Sequence, residues 1–384
     1  MDIKPVVAHL VRIYLAPTET FIRYQITNLK SFEPIVLCHS IEKNNGPVVK
    51  DVFASIKILK GFHRILANYS YKFMRHLTKK ECEILIDAIA QNKSKLLHFH
   101  YAVDARYFLN LKKNLNLPGV VSLYGYDTSS FPRTCFGYGK IYLMPIFEAM
   151  DIFLSMSEDM KRDLIMLGCP EKKIVVHYYG IEVQKFANPE KKYEDNEIVN
   201  ILMIGTLEIK KAQHLVLRAL KEIENQMPQK FTITIVGDGP MKSHLVKMVK
   251  EYGWQNKVNF LGFIPYSSKQ LVNVYHNADI FALPSITVKG DKEGIPGTIV
   301  EAMASGLPVV SSYHAGIPEV IENYKQGILV KEKDIKGLSG ALKELIKNKN
   351  LRERLGRAAA ERAIKNFDVK NRTENLEKIY QSLL

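Results

Sequence analysis

Two glutamates eight positions apart, Glu293 and Glu301, stand in the most chemically suggestive stretch of the sequence. It reads Glu293-Gly294-Ile295-Pro296-Gly297-Thr298-Ile299-Val300-Glu301 and runs on to Gly306-Leu307-Pro308. The segment 284–294 reads as a loop after a strand. Pro296 opens a helix, where its missing N–H costs nothing. Gly306 closes that helix as a C-terminal cap, and Pro308 begins the next strand. The free N–H groups from Gly294 to Thr298 make a positive helix end, suited to a phosphate or a sugar oxygen. Glu293 lies just before that end. Glu301 lies about one and a half turns in, and helical side chains lean back toward the N-terminus. Both carboxylates are therefore expected to face one ligand. A carboxylate accepts hydrogen bonds from hydroxyls, and a ribose diol offers it two donors.

Two further strand ends carry polar loops. Ile235-Val236-Gly237-Asp238-Gly239-Pro240 takes a strand into a tight turn, and Pro240 starts a helix. Lys242 stands where the third glycine of G-x-G-x-x-G would be, which counts against a dinucleotide site. Ile204-Gly205-Thr206-Leu207-Glu208-Ile209-Lys210-Lys211-Ala212 brings two lysines to another strand end.

The first half of the chain offers weaker signals. In Ala16-Pro17-Thr18-Glu19-Thr20-Phe21-Ile22, Thr18 or Thr20 is placed to cap a helix. His98-Phe99-His100 puts two imidazoles on one side of an extended segment. A metal pair needs a third ligand, and none is evident, so a site-lining or buried role is the better expectation and no metal is expected. Tyr124-Gly125-Tyr126-Asp127 follows the next strand.

The elements that must position these residues alternate throughout. Strands are expected at 5–11, 35–39, 95–99, 120–123, 152–155 and 174–177, with helices at 19–29, 81–91, 104–115 and 158–167. The second half has strands at 199–204, 232–236, 258–261, 280–283, 308–311 and 327–330, helices between them, and three helical stretches to finish. Near-continuous apolar strands separated by helices indicate parallel sheets covered on both faces. The fold class is therefore α/β, two Rossmann-like doubly wound domains facing a cleft. Ligands of open α/β sheets bind beyond the carboxyl ends of the strands, where the motifs fall. The polar stretch 188–196 suggests domains at 1–187 and 188–365, with a helix at 366–384 packing back on the first.

Composition sets outer limits. The chain has 384 residues, a formal charge of +14, and cysteines at 38, 82, 135 and 169 with no C-x-x-C pair. That favours reduced thiols in a cytoplasmic protein and no zinc site. No signal peptide or membrane-spanning run is apparent. From Lys43 to Lys80 nine cations face one acid, Asp51, with Phe53, Phe62, Tyr69, Tyr71, Phe73 and Met74 among them. This segment is either a solvated helical face or a patch for an anionic membrane surface. No nucleic-acid motif accompanies it.

The Glu293–Glu301 string resembles the E-x7-E signature of retaining GT-B glycosyltransferases, of the family 4-like subgroup that builds exopolysaccharide and lipopolysaccharide. The resemblance implies that Glu293 contacts the donor sugar and Glu301 the nucleotide ribose. Gly237, Gly239 and Pro240 match its V-G-x-G-P string, which lines the nucleotide pocket. Gly205, Thr206 and Lys211 fall on its G-R-L-x-x-x-K-G pattern, where Arg and Lys hold the diphosphate; here Thr206 replaces the Arg and Ala212 the last Gly. Glu19 and Thr20 match S-E-T-F-I, and Tyr124 replaces the His of H-G-Y-D, which touches the donor sugar.

The resemblance implies a transferase acting on a UDP- or GDP-sugar, a substrate rather than a cofactor. Glu293, Lys211 and Tyr124 would serve catalysis. Gly205, Thr206, Gly237, Gly239, Pro240, Gly294, Ile295, Pro296, Gly297, Thr298 and Glu301 would hold the donor. Glu19, Thr20, His98, His100 and Asp127 would lie on the acceptor side. The acceptor is expected to be a saccharide, lipid-linked at the inner membrane face, reached through 43–80. No D-x-D occurs, so nothing calls for a metal. The rivals are an epimerase or phosphorylase on the same plan, and a non-catalytic sugar-nucleotide-binding protein.

Overall fold

The computed structural model describes residues 4–14, 19–42, 49–194, 197–226 and 230–384. By internal contacts the chain divides into two units, residues 1–180 with 369–384, and residues 181–368. The expected boundaries at 187/188 and 365/366 are thus displaced. The short helix Val183–Phe186 explains the first shift. Its Val183 and Phe186 are buried, and the Phe186 carbonyl accepts from Ser305 Oγ (2.9 Å) in the second unit's own core.

The first unit is built on a parallel sheet of β1 (Val6–Tyr14), β2 (Glu33–Ile41), β3 (Val52–Ala54), β4 (Ser94–His100), β5 (Gly119–Ser122), β6 (Ile152–Ser155) and β7 (Ile174–Val176). The strand order is β3-β2-β1-β4-β5-β6-β7. The order reverses between β1 and β4, the position at which open α/β sheets take ligands. Val7–Val11 of β1 and Leu96–His100 of β4 are buried without a break, in keeping with their largely apolar runs. The closing helix Val369–Gln381 belongs to this unit, and its Leu376 and Tyr380 pack with Val7, Leu96 and Val120.

The second unit has β8 (Ile198–Ile204), β9 (Lys230–Val236), β10 (Val258–Gly262), β11 (Ile280–Leu283), β12 (Val309–Ser312) and β13 (Gly327–Val330), in the order β10-β9-β8-β11-β12-β13. Its reversal lies between β8 and β11. Helices Gln213–Ile223 and Ile335–Lys347 bury apolar faces against this sheet. Two Rossmann-like parallel-sheet domains make this a GT-B fold.

Several local readings need correction. The expected helix at 104–115 is two, Ala102–Tyr107 and Leu109–Lys113. Tyr107 and Phe108 are adjacent and both fully buried, and one regular helix would turn them about 100° apart. The basic segment is not one helical face. It contains β3, which extends the sheet, then helices Ser55–Ile58 and Gly61–Tyr69 and a π-helical turn Ser70–Met74. Helix Thr134–Ala149 has no counterpart in the expected elements; it is apolar nearly all round, so no amphipathic period marks it.

Candidate active site

Three loops meet at the carboxyl ends of β8, β9 and β11. Gly205 N–H donates to the Val236 carbonyl (3.1 Å), Leu207 N–H to the Asp238 carbonyl (2.9 Å), and Ile286 N–H to the Lys210 carbonyl (2.8 Å). This crossing explains two of the glycines. A Cβ on Gly237 would lie 2.0 Å from the Gly205 carbonyl oxygen, and one on Gly239 would lie 2.7 Å from the Leu207 carbonyl oxygen. Both also have positive φ, at +129° and +154°. Thr206 and Pro240 are exposed on these loops. Helix Lys242–Glu251 begins two residues after Pro240, so Pro240 leads into it instead of starting it.

Lys211 and Glu293 come together across these loops. Lys211 Nζ lies 2.9 Å from Glu293 Oε2, with 14% and 11% of their side chains exposed. Lys210 Nζ lies 4.0 Å from the other oxygen, and it also reaches Asp291 at 3.1 Å and Glu208 at 3.9 Å. Burial alone would raise the Glu293 carboxyl. Lys211 and Lys210 outweigh it and hold the group below the ordinary carboxylate range. Glu293 is therefore a carboxylate at neutral pH.

Glu301 has a different environment. Helix Gly297–Ala304 starts after Pro296, which takes the cap position, not the first helical turn. The Tyr275 hydroxyl donates to Glu301 Oε2 (2.6 Å) and lies 3.4 Å from the Thr298 carbonyl, so the carboxyl leans back over the first turn as expected. Burial pushes its pKa up to about 7, against the opposing effects of Tyr275 and Lys185. Gly294, Ile295 and Pro296 are buried at the approach to the helix; Gly297 is partly so. Ser285 Oγ, Glu293 Oε1 and Thr298 Oγ1 are buried and find no hydrogen-bond partner among the described residues. Unspent polar atoms at one sheet end are what a polar ligand would satisfy.

The residues assigned to the acceptor side lie in the first unit. Thr18 falls outside the described residues. Glu19 occupies the cap position of helix Thr20–Thr27 without a side-chain capping bond, and Thr20 is its first helical residue, not its cap. Burial, with Asp104 nearby, raises the Glu19 carboxyl to about 7. Asp127 is fully buried and structural. Its Oδ1 accepts the Ala102 N–H (3.0 Å) at the start of helix Ala102–Tyr107. Tyr101, at φ +72°, enters that helix in a conformation rare for a non-glycine residue.

His98 and His100 are fully buried, and the third imidazole missing from the sequence pattern is His9. Parallel pairing sets His9 on β1 directly beside His98 on β4. The three form a proton-sharing network. His9 Nδ1 meets His100 Nε2 (3.0 Å), His100 Nδ1 meets the Tyr124 hydroxyl (2.7 Å), and His98 meets Ser122 Oγ (2.8 Å) and the Tyr380 hydroxyl. Burial depresses all three, His9 to about 3, so the rings are neutral. Nearly every ring nitrogen already has a hydroxyl or imidazole partner, which fits a structural network better than a metal centre. Tyr124 is tied to this network and packs against Phe21 and Tyr101, with ring centroids 4.7 and 4.8 Å away.

Residues 183–362 match the sequence family described as Glycosyl transferases group 1. The matched stretch lies within the second unit. Among curated relatives, the "Putative colanic acid biosynthesis glycosyltransferase WcaL" of Salmonella typhimurium is 29% identical over 79% of this chain and 75% of its own length. The amylovoran biosynthesis glycosyltransferase AmsK of Erwinia amylovora is 35% identical over 65% of this chain and 60% of its own length. The chain therefore spans less than two thirds of AmsK. The crystal structure of Anabaena HepE in complex with UDP superposes with a TM-score of 0.76 at 16% identity, covering 99% of this chain and 100% of that one. The matched residues include Lys211, Glu293 and Glu301; the histidine network lies outside them.

Proposed function

We propose that this chain transfers a sugar from a nucleotide-sugar donor to a hydroxyl of a saccharide acceptor in bacterial surface polysaccharide synthesis, with retention at the anomeric carbon. The observation that carries this reading is the mostly withdrawn Lys211–Glu293 pair beside the N-terminus of helix Gly297–Ala304, at the switch point of the sheet and within the stretch matched by the group 1 family. WcaL and AmsK bear names of polysaccharide biosynthesis, and HepE was solved with UDP, which favours a UDP-sugar over a GDP-sugar.

In the reaction, the bond from the anomeric carbon to the diphosphate oxygen breaks and the nucleoside diphosphate leaves with the electron pair. A bond to the acceptor oxygen forms, and the hydroxyl proton passes to the departing diphosphate. Charge builds on the leaving diphosphate and, with opposite sign, on the sugar ring. Fixed donors aimed at that charge are the main catalytic resource. Lys211 and the N–H groups of the helix Gly297–Ala304 supply them. Glu293, held as a carboxylate, accepts from sugar hydroxyls, and Glu301 accepts from the ribose diol. In this reading no metal takes part.

The acceptor is lipid-linked in this reading, and the first unit approaches an anionic membrane from the cytoplasmic side. Helix Gly61–Tyr69 exposes Phe62, Ile65 and Tyr69, and the turn after it exposes Phe73 and Met74. Helix Thr134–Ala149 exposes Tyr138, Ile141 and Met144, and its Tyr142 hydroxyl donates to the Arg75 carbonyl (3.1 Å), which joins the two elements. Large apolar side chains edged by lysine and arginine suit an anionic interface. No described helix is long and apolar enough to cross a membrane.

Turnover of a donor panel of UDP-, GDP- and ADP-sugars with an acceptor lipid extract tests the function. Product that appears only with acceptor, and disappears in Glu293→Ala, supports transfer. Product without acceptor favours an epimerase or phosphorylase, and binding without turnover favours a non-catalytic protein.

A further inference from the structure

The loop that carries Glu293 is tied by residues from the two following strands. Glu332, just after β13, takes Thr287 N–H on Oε2 (2.8 Å) and the Thr287 hydroxyl on Oε1 (3.1 Å). The same Oε1 lies 2.6 Å from Nδ1 of His314, which follows β12 and is fully buried. The other ring nitrogen, Nε2, lies 3.0 Å from the backbone nitrogen of Glu293. A backbone N–H only donates, so Nε2 must present its lone pair. The ring's single proton then sits on Nδ1, where Glu332 accepts it. One carboxylate thereby grips the start of the loop directly and its end through an imidazole of fixed tautomer. Between these two points the loop turns back on itself through paired Val288 and Asp291.

We infer that His314 is a positioning residue for Glu293, with Glu332 setting its tautomer. The inference rests on the reading that Glu293 contacts the donor sugar. Holding the Glu293 main chain fixes two things at once. It aims the carboxylate at Lys211, and it sets the approach through Gly294 and Pro296 into helix Gly297–Ala304. The nucleotide is handled by other groups, among them Glu301 and the glycine loops after β8 and β9. Loss of His314 should therefore weaken recognition of the sugar and spare that of the nucleotide. A residue that merely stabilised the domain would weaken both.

Isothermal titration of the full chain with UDP and with UDP-glucose separates these outcomes. His314→Ala is expected to weaken UDP-glucose binding about tenfold and to leave UDP within about twofold, the scale of one lost hydrogen bond at a buried site. Glu293→Ala should show the same selective loss. His314→Gln, whose amide oxygen reaches toward the Nε2 position, should restore most of the affinity. Glu332→Gln should reproduce the loss, because the ring is then free to carry its proton on Nε2, facing the Glu293 N–H. Wild-type affinity for UDP-glucose in His314→Ala overturns the inference, and so does an equal loss of both ligands. If the wild type binds neither UDP nor any sugar nucleotide of the panel, the functional reading itself falls, and that result is distinct from either.

Discussion

Lys211 Nζ lies 2.9 Å from Glu293 Oε2, and this pair joins the loop after β8 to the loop after β11. Both side chains are mostly withdrawn from water, so each depends on the other for compensation. Lys211→Met leaves Glu293 with only the more distant Lys210. It is expected to lower the stability of the second unit by about 1–3 kcal/mol, read by urea unfolding. UDP affinity should drop at least about tenfold in titration calorimetry, since a charge-assisted contact to phosphate is lost. Unchanged UDP affinity would remove Lys211 from the donor site.

Glu301 titrates upward, to about 7 against an ordinary 4.5. A carboxyl raised in the folded state favours folding while it is protonated. That contribution is complete below about 4.5 and is lost as pH rises through about 7. The difference between wild type and Glu301→Gln should therefore change with pH by up to roughly 3 kcal/mol, the variant being relatively more stable at pH 8. Ribose hydroxyls need the charged form as acceptor, so wild-type UDP affinity should rise from pH 6 to pH 8 and be flat in Glu301→Gln. A flat wild-type profile would sever Glu301 from ribose recognition.

The histidine network predicts the opposite sign in the first unit. His9 is depressed to about 3, so between that value and 6.5 the unfolded chain binds a proton that the folded one does not. Stability from this group is present above 6.5 and is lost as pH falls. Glu19 and Asp127, both raised to about 7, work against it over much of the same range. The comparison must therefore be with a variant. Relative to His9→Gln, wild type should lose up to ~1.4 kcal/mol more per pH unit on acidification, measured by denaturant unfolding at pH 5, 6 and 7.

Gly237→Ala places a methyl group 2.0 Å from a backbone oxygen, at a φ of +129°. No side-chain rotation relieves a clash with backbone. A loss of more than about 2 kcal/mol is expected in the second unit, with UDP binding reduced as the loop shifts. Thermal melts with and without UDP test both effects.

Phe62 and Phe73 are 72% and 68% exposed, among the most exposed apolar side chains beside the basic cluster. Phe62→Ser with Phe73→Ser should lower the fraction sedimenting with vesicles of phosphatidylglycerol and phosphatidylcholine by several-fold while leaving UDP affinity unchanged. Equal sedimentation with purely neutral vesicles would refute an anionic target.

The parallel strands were legible because burial on both faces leaves an unbroken apolar run, as in β11 and β13, where expected and observed limits coincide. The loops after β8, β9 and β11 were legible because Gly237, Gly239 and Pro296 mark backbone demands that few other residues meet cheaply. His9 was not, since it acquires its meaning only when parallel pairing sets β1 beside β4, and residues 91 positions apart come within a hydrogen bond. His314 and Glu332 escaped for the same reason: they follow successive strands, and only the sheet order makes them neighbours of the Glu293 loop. Asp127 shows the reverse case. The resemblance to H-G-Y-D implies a place on the acceptor side, whereas its carboxyl accepts the Ala102 N–H and is fully buried.

Ile181 and Asp368, the two ends of the second unit, pair with each other in a parallel bridge. The chain thus enters and leaves this unit at one point. Expression of residues 181–368 alone would test whether such a segment folds and holds a nucleotide without the chain on either side of it.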